Sequence, residues 1–496
     1  MQVWQAQLQR LVEFATDPIG FFALGVMVLF IIFAIIKPTV RMMAVTLLLW
    51  STLLTKPVNM AALYSIPDLI APLELLRGFS RALTAISAIV LVLPSATSNS
   101  GLRGNRFSAA MWALLIFHMI VCVMQIVSGG DVTKALLSLV VICSVFFVFS
   151  RGLGTWLQDM DDVHRILNAV AWVAVIFIGT TTIQGLINSS AIKWNGRLHA
   201  TTANPQFAAA AMALLFPTVA YLALHKATPK LFRFMYFGLL GLFVVFLGWT
   251  GSRTGMLMSA VGLTLLFRLR LGKALIAVIG ASGVFFIGYM IFGSEAEATD
   301  RMFTMKDTRS GVWRSMFGSF QSNPLLGAAG RDYEGFTGSE NSYLLTAASF
   351  GLIGLVPLLV AAGLVLREVI WLLTHRSQLR AISPTAAMLA DLSAATLMAI
   401  GAGSLFEGYL MSQFAFAVYM AFIFLAISLY LRDYVKRETA DLYTVTKYDS
   451  PDPQHAHYPS GQPMYGSPMQ PQTGQPMGHA MGQPVGQPMM RHEFRQ

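Results

Sequence analysis

Tyr343-Leu-Leu-Thr-Ala-Ala-Ser-Phe-Gly-Leu-Ile-Gly-Leu-Val-Pro-Leu-Leu-Val-Ala-Ala-Gly-Leu-Val-Leu366 runs for 24 residues without a charge. A hydrocarbon core about 30 Å thick needs roughly 20 apolar residues of helix, so this stretch is long enough to cross a bilayer. Comparable runs occupy 19–36, 40–55, 79–97, 108–127, 133–150, 166–187, 206–225, 233–250, 255–267, 273–292, 385–404 and 412–432. Backbone groups in lipid must be satisfied within the protein, which helices achieve. The pattern predicts an all-α polytopic membrane bundle of about 12–13 transmembrane helices. Composition agrees. Of 496 residues, 55% are apolar and only 12% charged, about half the charged share of soluble domains. Mean hydropathy is +0.61. A soluble surface of this size cannot be wetted with so few charges.

The net charge of +10 fits membrane loops better than nucleic acid, because cytoplasmic loops concentrate Lys and Arg. Loops at 37–41, 98–107, 151–165, 226–232, 268–273, 367–384 and 433–437 form the basic, cytoplasmic side. The opposite, periplasmic side then holds 188–205, 251–254, 293–342 and 405–411. The stretch 58–77 carries Pro67, Asp68, Glu74 and Arg77 and reads as an interfacial or re-entrant helix. The first apolar run lacks the basic start and cleavage site of a signal peptide: only Arg10 precedes it, opposed by Glu13 and Asp17. Cys122 and Cys143 both lie in apolar runs, which argues against a disulfide scaffold or a cysteine zinc site. No HExxH, paired-Asp or P-loop motif occurs, so the sequence calls for no metal and no cofactor.

Two segments depart from the pattern. Loop 293–342 is long, and long loops are often functional. Within it Val312, Trp313, Met316, Phe317 and Phe320 recur at helical spacing, predicting a short amphipathic helix ended by Asn323-Pro324, with a turn at Gly327 and Gly330. Residues 1–436 thus form the transmembrane bundle with one large, partly helical periplasmic loop. Residues 437–496 form a second region rich in Pro, Gln, Gly and Met. Gly-Gln-Pro-Met occurs there at 461–464, 474–477 and 486–489. Such a segment cannot repay the entropy of folding. It is expected to be a disordered cytoplasmic tail, dispensable or a docking tail for a cytoplasmic partner.

The periplasmic side carries arginines where the charge rule disfavours them: Arg197, Arg253, Arg301, Arg309, Arg314 and Arg331. Arg197 lies in Trp194-Asn-Gly-Arg-Leu-His199 and Arg253 in Thr250-Gly-Ser-Arg-Thr-Gly255. Guanidinium stays charged and grips phosphate bidentately, so these residues suit a phosphate-bearing lipid; singly, each can also snorkel to headgroups. Glu340 and Glu407 lie near the same face. A carboxylate there can serve as a general base or pair with an arginine to fix the loop, and the second role is the more natural one for Glu407. His118 reads as a core residue, and His199 is the one histidine expected on the periplasmic face.

Residues 160–432 resemble the O-antigen ligase and O-antigen polymerase superfamily of bacterial inner-membrane glycan transferases. Arg197 through Asn204-Pro205 resembles that family's Arg segment. Gly251-Ser-Arg253 resembles its Ser-Arg motif. Arg309 to Gly330, with Asn-Pro-Leu-Leu-Gly, resembles the first part of its periplasmic loop. Glu340-Asn-Ser-Tyr-Leu344 followed by Gly351-Leu-Ile-Gly-Leu355 resembles the loop's end. The ligases read His-Asn-x-x-Leu at that end; here Glu340 precedes Asn341, which looks more like the polymerases, and His199 does not match the ligase histidine.

The resemblance implies transfer of a glycan from undecaprenyl diphosphate to a lipid-linked repeat at the periplasmic face of the inner membrane. It implies Arg197, Arg253 and Glu340 as catalytic, and Arg309, Arg314, Asn341, Tyr343 and Glu407 as substrate-binding. A ligase passing the glycan to lipid A-core or protein is the alternative within the family. A lipid or solute transporter and a non-catalytic assembly subunit are the alternatives outside it. The expected partners are the lipid-linked glycan, a glycan or lipid acceptor, membrane lipids and, through the tail, polysaccharide-assembly proteins, with no nucleic acid.

Overall fold

The computed structural model describes residues 29, 32–33, 36–54, 67–97, 108–127, 132–194, 196–202, 204–269, 309–328, 341–412 and 415–448. The expected span 273–292, most of 19–36, and Glu340, Arg301 and Arg331 lie outside them. The chain divides into Met1–Asp441 and Leu442–Gln496.

The described elements are α1 (Pro38–Ser51), α2 (Ala71–Gly78), α3 (Ser80–Thr97), α4 (Ala109–Val127), α5 (Val132–Phe147), α6 (Met160–Ile187), α7 (Pro205–Leu224), α8 (Lys230–Thr250), α9 (Arg253–Phe267), α10 (Ser310–Ser322), α11 (Ser342–Thr374), α12 (Arg376–Ile382), α13 (Pro384–Ser404) and α14 (Phe416–Tyr448). Seven of them, α4, α6, α7, α8, α11, α13 and α14, contain stretches long and apolar enough to cross a membrane. The pair α2–α3, bent by 64°, makes an eighth if it counts as one span. The chain is therefore an all-α, multi-pass helical membrane protein. Three expected runs form shorter helices. Residues 40–55 yield the 14 residues of α1, 255–267 the 15 of α9, and 133–150 a helix that passes into a π turn at Val148–Gly152. Fifteen residues rise only about 22 Å. The bend makes the α2–α3 pair either a broken span or a re-entrant loop; of the stretch 58–77, residues 58–66 lie outside the described residues, Pro72 lies in the first turn of α2 and Arg77, in its last turn, is buried.

Helix starts follow local chemistry. Asp159, Asn204, Ser252, Asn341 and Ser383 each cap a helix by accepting a backbone N–H, satisfying donors that the first turn leaves open. The core is built on small residues. In α7, Ala208 to Ala211 and Ala213 are buried, and α7 packs on both α9 and α13. A Cβ at Gly255 would run into Ala209, one at Gly262 into Pro217, and one at Gly403 into Met258 and Tyr409. Small side chains let these helix backbones approach closely, the main route to tight packing where lipid removes the hydrophobic drive.

Helix α11 is broken at Gly351, whose backbone stands at φ 59, ψ −151. The break is filled by the turn after α10. Leu352 N–H donates to Pro324 O at 2.8 Å, and Ala328 N–H to Ala348 O at 2.8 Å. Gly327, at φ 62, faces Gly351 so closely that a Cβ there would meet Ala348 O and Gly351 N at 2.6 Å. A Cβ on Gly351 would collide with the Leu325 carbonyl. The two glycines interlock, and the turn supplies the hydrogen bonds that the break removes from the helix.

Side-chain pairs distinguish the two ends of the bundle. At one end, Arg268 and Arg376 converge on Asp391 at 3.2 and 2.7 Å, Arg432 meets Glu368 at 2.9 Å, and His164 Nε2 lies 2.9 Å from the Tyr221 hydroxyl. These pairs join the basic loops to the helix ends beside them. The other end carries Arg197, Arg253, Arg309 and Arg314.

Candidate functional site

Between α6 and α7 the chain forms a feature the helical patterning did not suggest: an antiparallel ribbon pairing Lys193–Trp194 with Arg197–Leu198. Gly196, at φ 67, turns it. The dipeptide Asn195-Gly196 is the common two-residue hairpin signal, and it was available in the sequence. The ribbon is clamped onto the end of α8: Arg197 Nε donates to Thr250 O at 2.8 Å, and Lys193 Nζ sits 4.4 Å from the centre of the Trp249 ring. Arg197 is buried at 5% exposure.

The short link from α8 to α9 carries the next arginine. Gly251, at φ 60, ends α8. Ser252 Oγ accepts from Gly255 N–H at 3.2 Å, which starts α9 at Arg253. Arg253 is exposed, while its neighbours Ser252 and Thr254 are buried. Helix α10 adds a third arginine at the same place. Arg309 precedes its first residue, donates from Nη2 to Thr254 Oγ1 at 3.2 Å, approaches Glu407 Oε1 at 3.6 Å and lies over the Phe406 ring at 5.5 Å.

The start of α11 closes the group. Asn341 Oδ1 accepts from Tyr343 and Leu344 N–H, both at 2.9 Å, while its Nδ2 donates to Leu405 O at 2.8 Å. Ser342 Oγ donates to Glu407 O at 2.6 Å. The Tyr343 hydroxyl lies 3.2 Å from Ser404 Oγ; Ser404 donates to Gly401 O, leaving Tyr343 to donate to Ser404. Tyr409 is sealed below, its hydroxyl donating to Ile400 O at 2.6 Å. Burial, then the charge of Glu407, pushes that phenol well above its ordinary value.

The N-termini of α9, α10 and α11 thus meet around Arg309 and Glu407. Helix N-termini carry partial positive charge and orphan N–H groups that favour anions. With Arg253 and Arg309 added, this end of the bundle is electropositive, and Glu407 answers part of that charge. Arg197, Arg253, Arg309, Asn341, Tyr343 and Glu407, spread over more than 200 positions of sequence, belong to linked elements here. Arg314 does not join them: it is exposed on α10. Of the amphipathic set on that helix, Met316 is buried, whereas Phe317 is 49% exposed. Glu340, expected to act as base, lies outside the described residues. Among the described residues no group of three His, Cys, Asp or Glu is arranged to hold a metal. No protein-family model matches the chain, and no curated protein sequence matches it.

Proposed function

We propose that the chain transfers a glycan from undecaprenyl diphosphate to a second lipid-linked repeat, as a polysaccharide polymerase of the bacterial inner membrane. The observation that carries this is the meeting of three helix N-termini with Arg253, Arg309 and Glu407 at one end of the bundle. A departing diphosphate develops negative charge, and positioned cations and N–H groups stabilise that charge. Arg253, exposed at the start of α9, would take the phosphate oxygens. Arg197 would brace the α8–α9 link from behind through Thr250, and Arg309 would join the loop to it. The acceptor hydroxyl oxygen attacks the anomeric carbon, the bond from that carbon to the phosphate oxygen breaks, and Glu340 takes the hydroxyl proton. Asn341, fixed by three hydrogen bonds, sets the backbone just after that carboxylate. Two lipid-linked substrates held in one membrane plane also gain proximity. Under the positive-inside rule the basic opposite end would face the cytoplasm, which supports a periplasmic site.

The test is purified protein in detergent with an undecaprenyl-diphosphate-linked repeat and no ion gradient. Chain extension with release of undecaprenyl diphosphate is expected. Absence of any transfer, with gradient-dependent movement of lipid in vesicles, would replace the enzyme by a transporter. A deletion strain that still makes long polymer on the lipid carrier would convert the polymerase into a ligase.

A further inference from the structure

The turn that fills the break in α11 has a second face, which the transfer site does not use. From Asn323 to Gly330 the sequence Asn-Pro-Leu-Leu-Gly-Ala-Ala-Gly holds no charge. Gly327 is buried against Gly351, while Leu325 and Leu326 turn outward, 60% and 40% exposed. Single exposed apolar side chains are ordinary on any protein surface, so the pair matters only through what lies beside it. In α11, residues 345–351 are buried and exposure begins at Leu352. From there Leu352, Ile353, Val356, Leu359 and Val360 are all exposed, at the spacing of one helix face. That face belongs to a helix long and apolar enough to cross a membrane, so it meets lipid. Leu325 stands level with its first residues: Ile353 N–H donates to Leu325 O at 3.4 Å and Leu352 N–H to Pro324 O at 2.8 Å.

The level of the turn follows from helix length. Arg367 is the first charge after the break, and its side chain is 59% exposed. Sixteen positions separate it from Gly351, about 24 Å of helix. A hydrocarbon core is about 30 Å thick. With Arg367 among the headgroups of one leaflet, the break lies about 6 Å short of the opposite boundary, inside the core. Tilt shortens the projected length and sets the break deeper. The backbone of the turn is prepared for such a place. Gly327 N–H donates to Asn323 O and Ala328 N–H to Ala348 O, both at 2.8 Å, and Leu326 N–H donates to Asn323 Oδ1 at 3.4 Å. Pro324 has no N–H, and its carbonyl and that of Leu325 accept from α11. A turn in water can leave such groups to solvent, whereas a turn in lipid cannot.

We propose that the tip Leu325–Leu326 is seated among phospholipid acyl chains, in the leaflet on the side of Arg253 and Arg309, and anchors there the loop that carries α10. The turn thus has two partners: Gly327 faces the protein and the leucines face the bilayer. The anchor ties α10, and Arg309 at its start, to the plane of the membrane. This rests on the membrane-spanning character of α11 and not on the transfer reaction.

Nitroxide labels read the surroundings of one position at a time. The full chain, carrying Cys122→Ala and Cys143→Ala, is placed in nanodiscs of phosphatidylethanolamine and phosphatidylglycerol and labelled at Leu325→Cys or Leu326→Cys. Val356→Cys on the exposed face of α11 is the lipid reference, and Thr439→Cys, exposed on α14, is the aqueous one. Oxygen gathers in hydrocarbon, while a neutral polar nickel chelate stays in water. The ratio of oxygen to chelate collisions at 325 and 326 should exceed that at 439 about tenfold, because burying the polar chelate in hydrocarbon is costly, and should approach that at 356. A ratio at the aqueous level overturns the proposal. Low collision with both reagents also overturns it, because protein, a second copy or another part of this chain, then covers the tip. If one of the two leucine variants does not fold, the other decides. No transfer is measured, so failure of the proposed reaction and failure of the anchor are read separately.

Discussion

At the scale of single residues, the arginines differ in what they can do. Arg197 is spent on a backbone carbonyl and holds two segments together, whereas Arg253 is exposed at a helix start. Both are expected to resist replacement by lysine, because an ammonium is a point charge without the guanidinium fork. Losing one charged hydrogen bond to a transition state costs on the order of 3 kcal/mol, about a hundredfold in rate. Arg253→Lys should therefore lose about that factor in polymer formation while keeping its thermal stability. Arg197→Lys should lose activity together with stability, since the α8 end loses its anchor. Melting curves beside transfer rates would separate the two, and near-normal polymer from Arg253→Lys would remove it from the proposed diphosphate site. The interlocked glycines carry a sharper expectation. Gly351 stands in a backbone region that costs other residues about 1–3 kcal/mol, and an added methyl would strike the Leu325 carbonyl. Gly351→Ala and Gly327→Ala should each lower the melting temperature markedly. Gly363→Ala, whose Cβ meets nothing within 4 Å, should be neutral or gain a few tenths of a kcal/mol from helix propensity.

At the scale of elements, α10 is the one of greatest interest. It lies across the bundle end by Met316, by the Trp313–Phe406 ring contact at 6.5 Å and by Arg309. Arg309→Ala removes the hydrogen bond to Thr254 and leaves Glu407, only 2% exposed, without that cation. Such orphaned charges are strongly destabilising when buried. The expected outcome is faster amide exchange over 310–322 with α11 unaffected beyond its first turns; unchanged exchange would mean that α10 is held by packing alone. Much of this element was legible beforehand. The 3.6-residue recurrence from Val312 to Phe320 gave the helix, Asn323-Pro324 its end, and Gly327 the turn, because these signals are local. The insertion of 324–328 into α11 was not legible. Gly351 sits in an unbroken apolar run, and nothing in hydropathy marks a break that a distant turn repairs. The linkage of Arg309 to Glu407 was likewise open, since sequence offered six arginines as partners.

At the scale of the whole molecule, the sequence was most informative, since apolar run length alone gave a multi-pass helical protein. Sidedness is the open expectation, and two exposed positions test it. Ser315→Cys on α10 should react with a membrane-impermeant maleimide in intact cells, and Thr439→Cys on α14 only after permeabilisation; the reverse pattern would invert the proposed orientation. Helix α14 runs on to Tyr448, past residue 437 where the tail is expected to begin, so a truncation should spare it. Removing 449–496 should leave expression and transfer near normal, and normal expression without product would give that segment a function. The break in α11 also bears on biogenesis. The turn at 324–328 is synthesised before the helix it completes, so the partner for the break already exists when α11 emerges, and the amides that the break opens can be bridged as the helix folds. Ribosomal order, and not only the final fold, thus favours placing the plug upstream of the break.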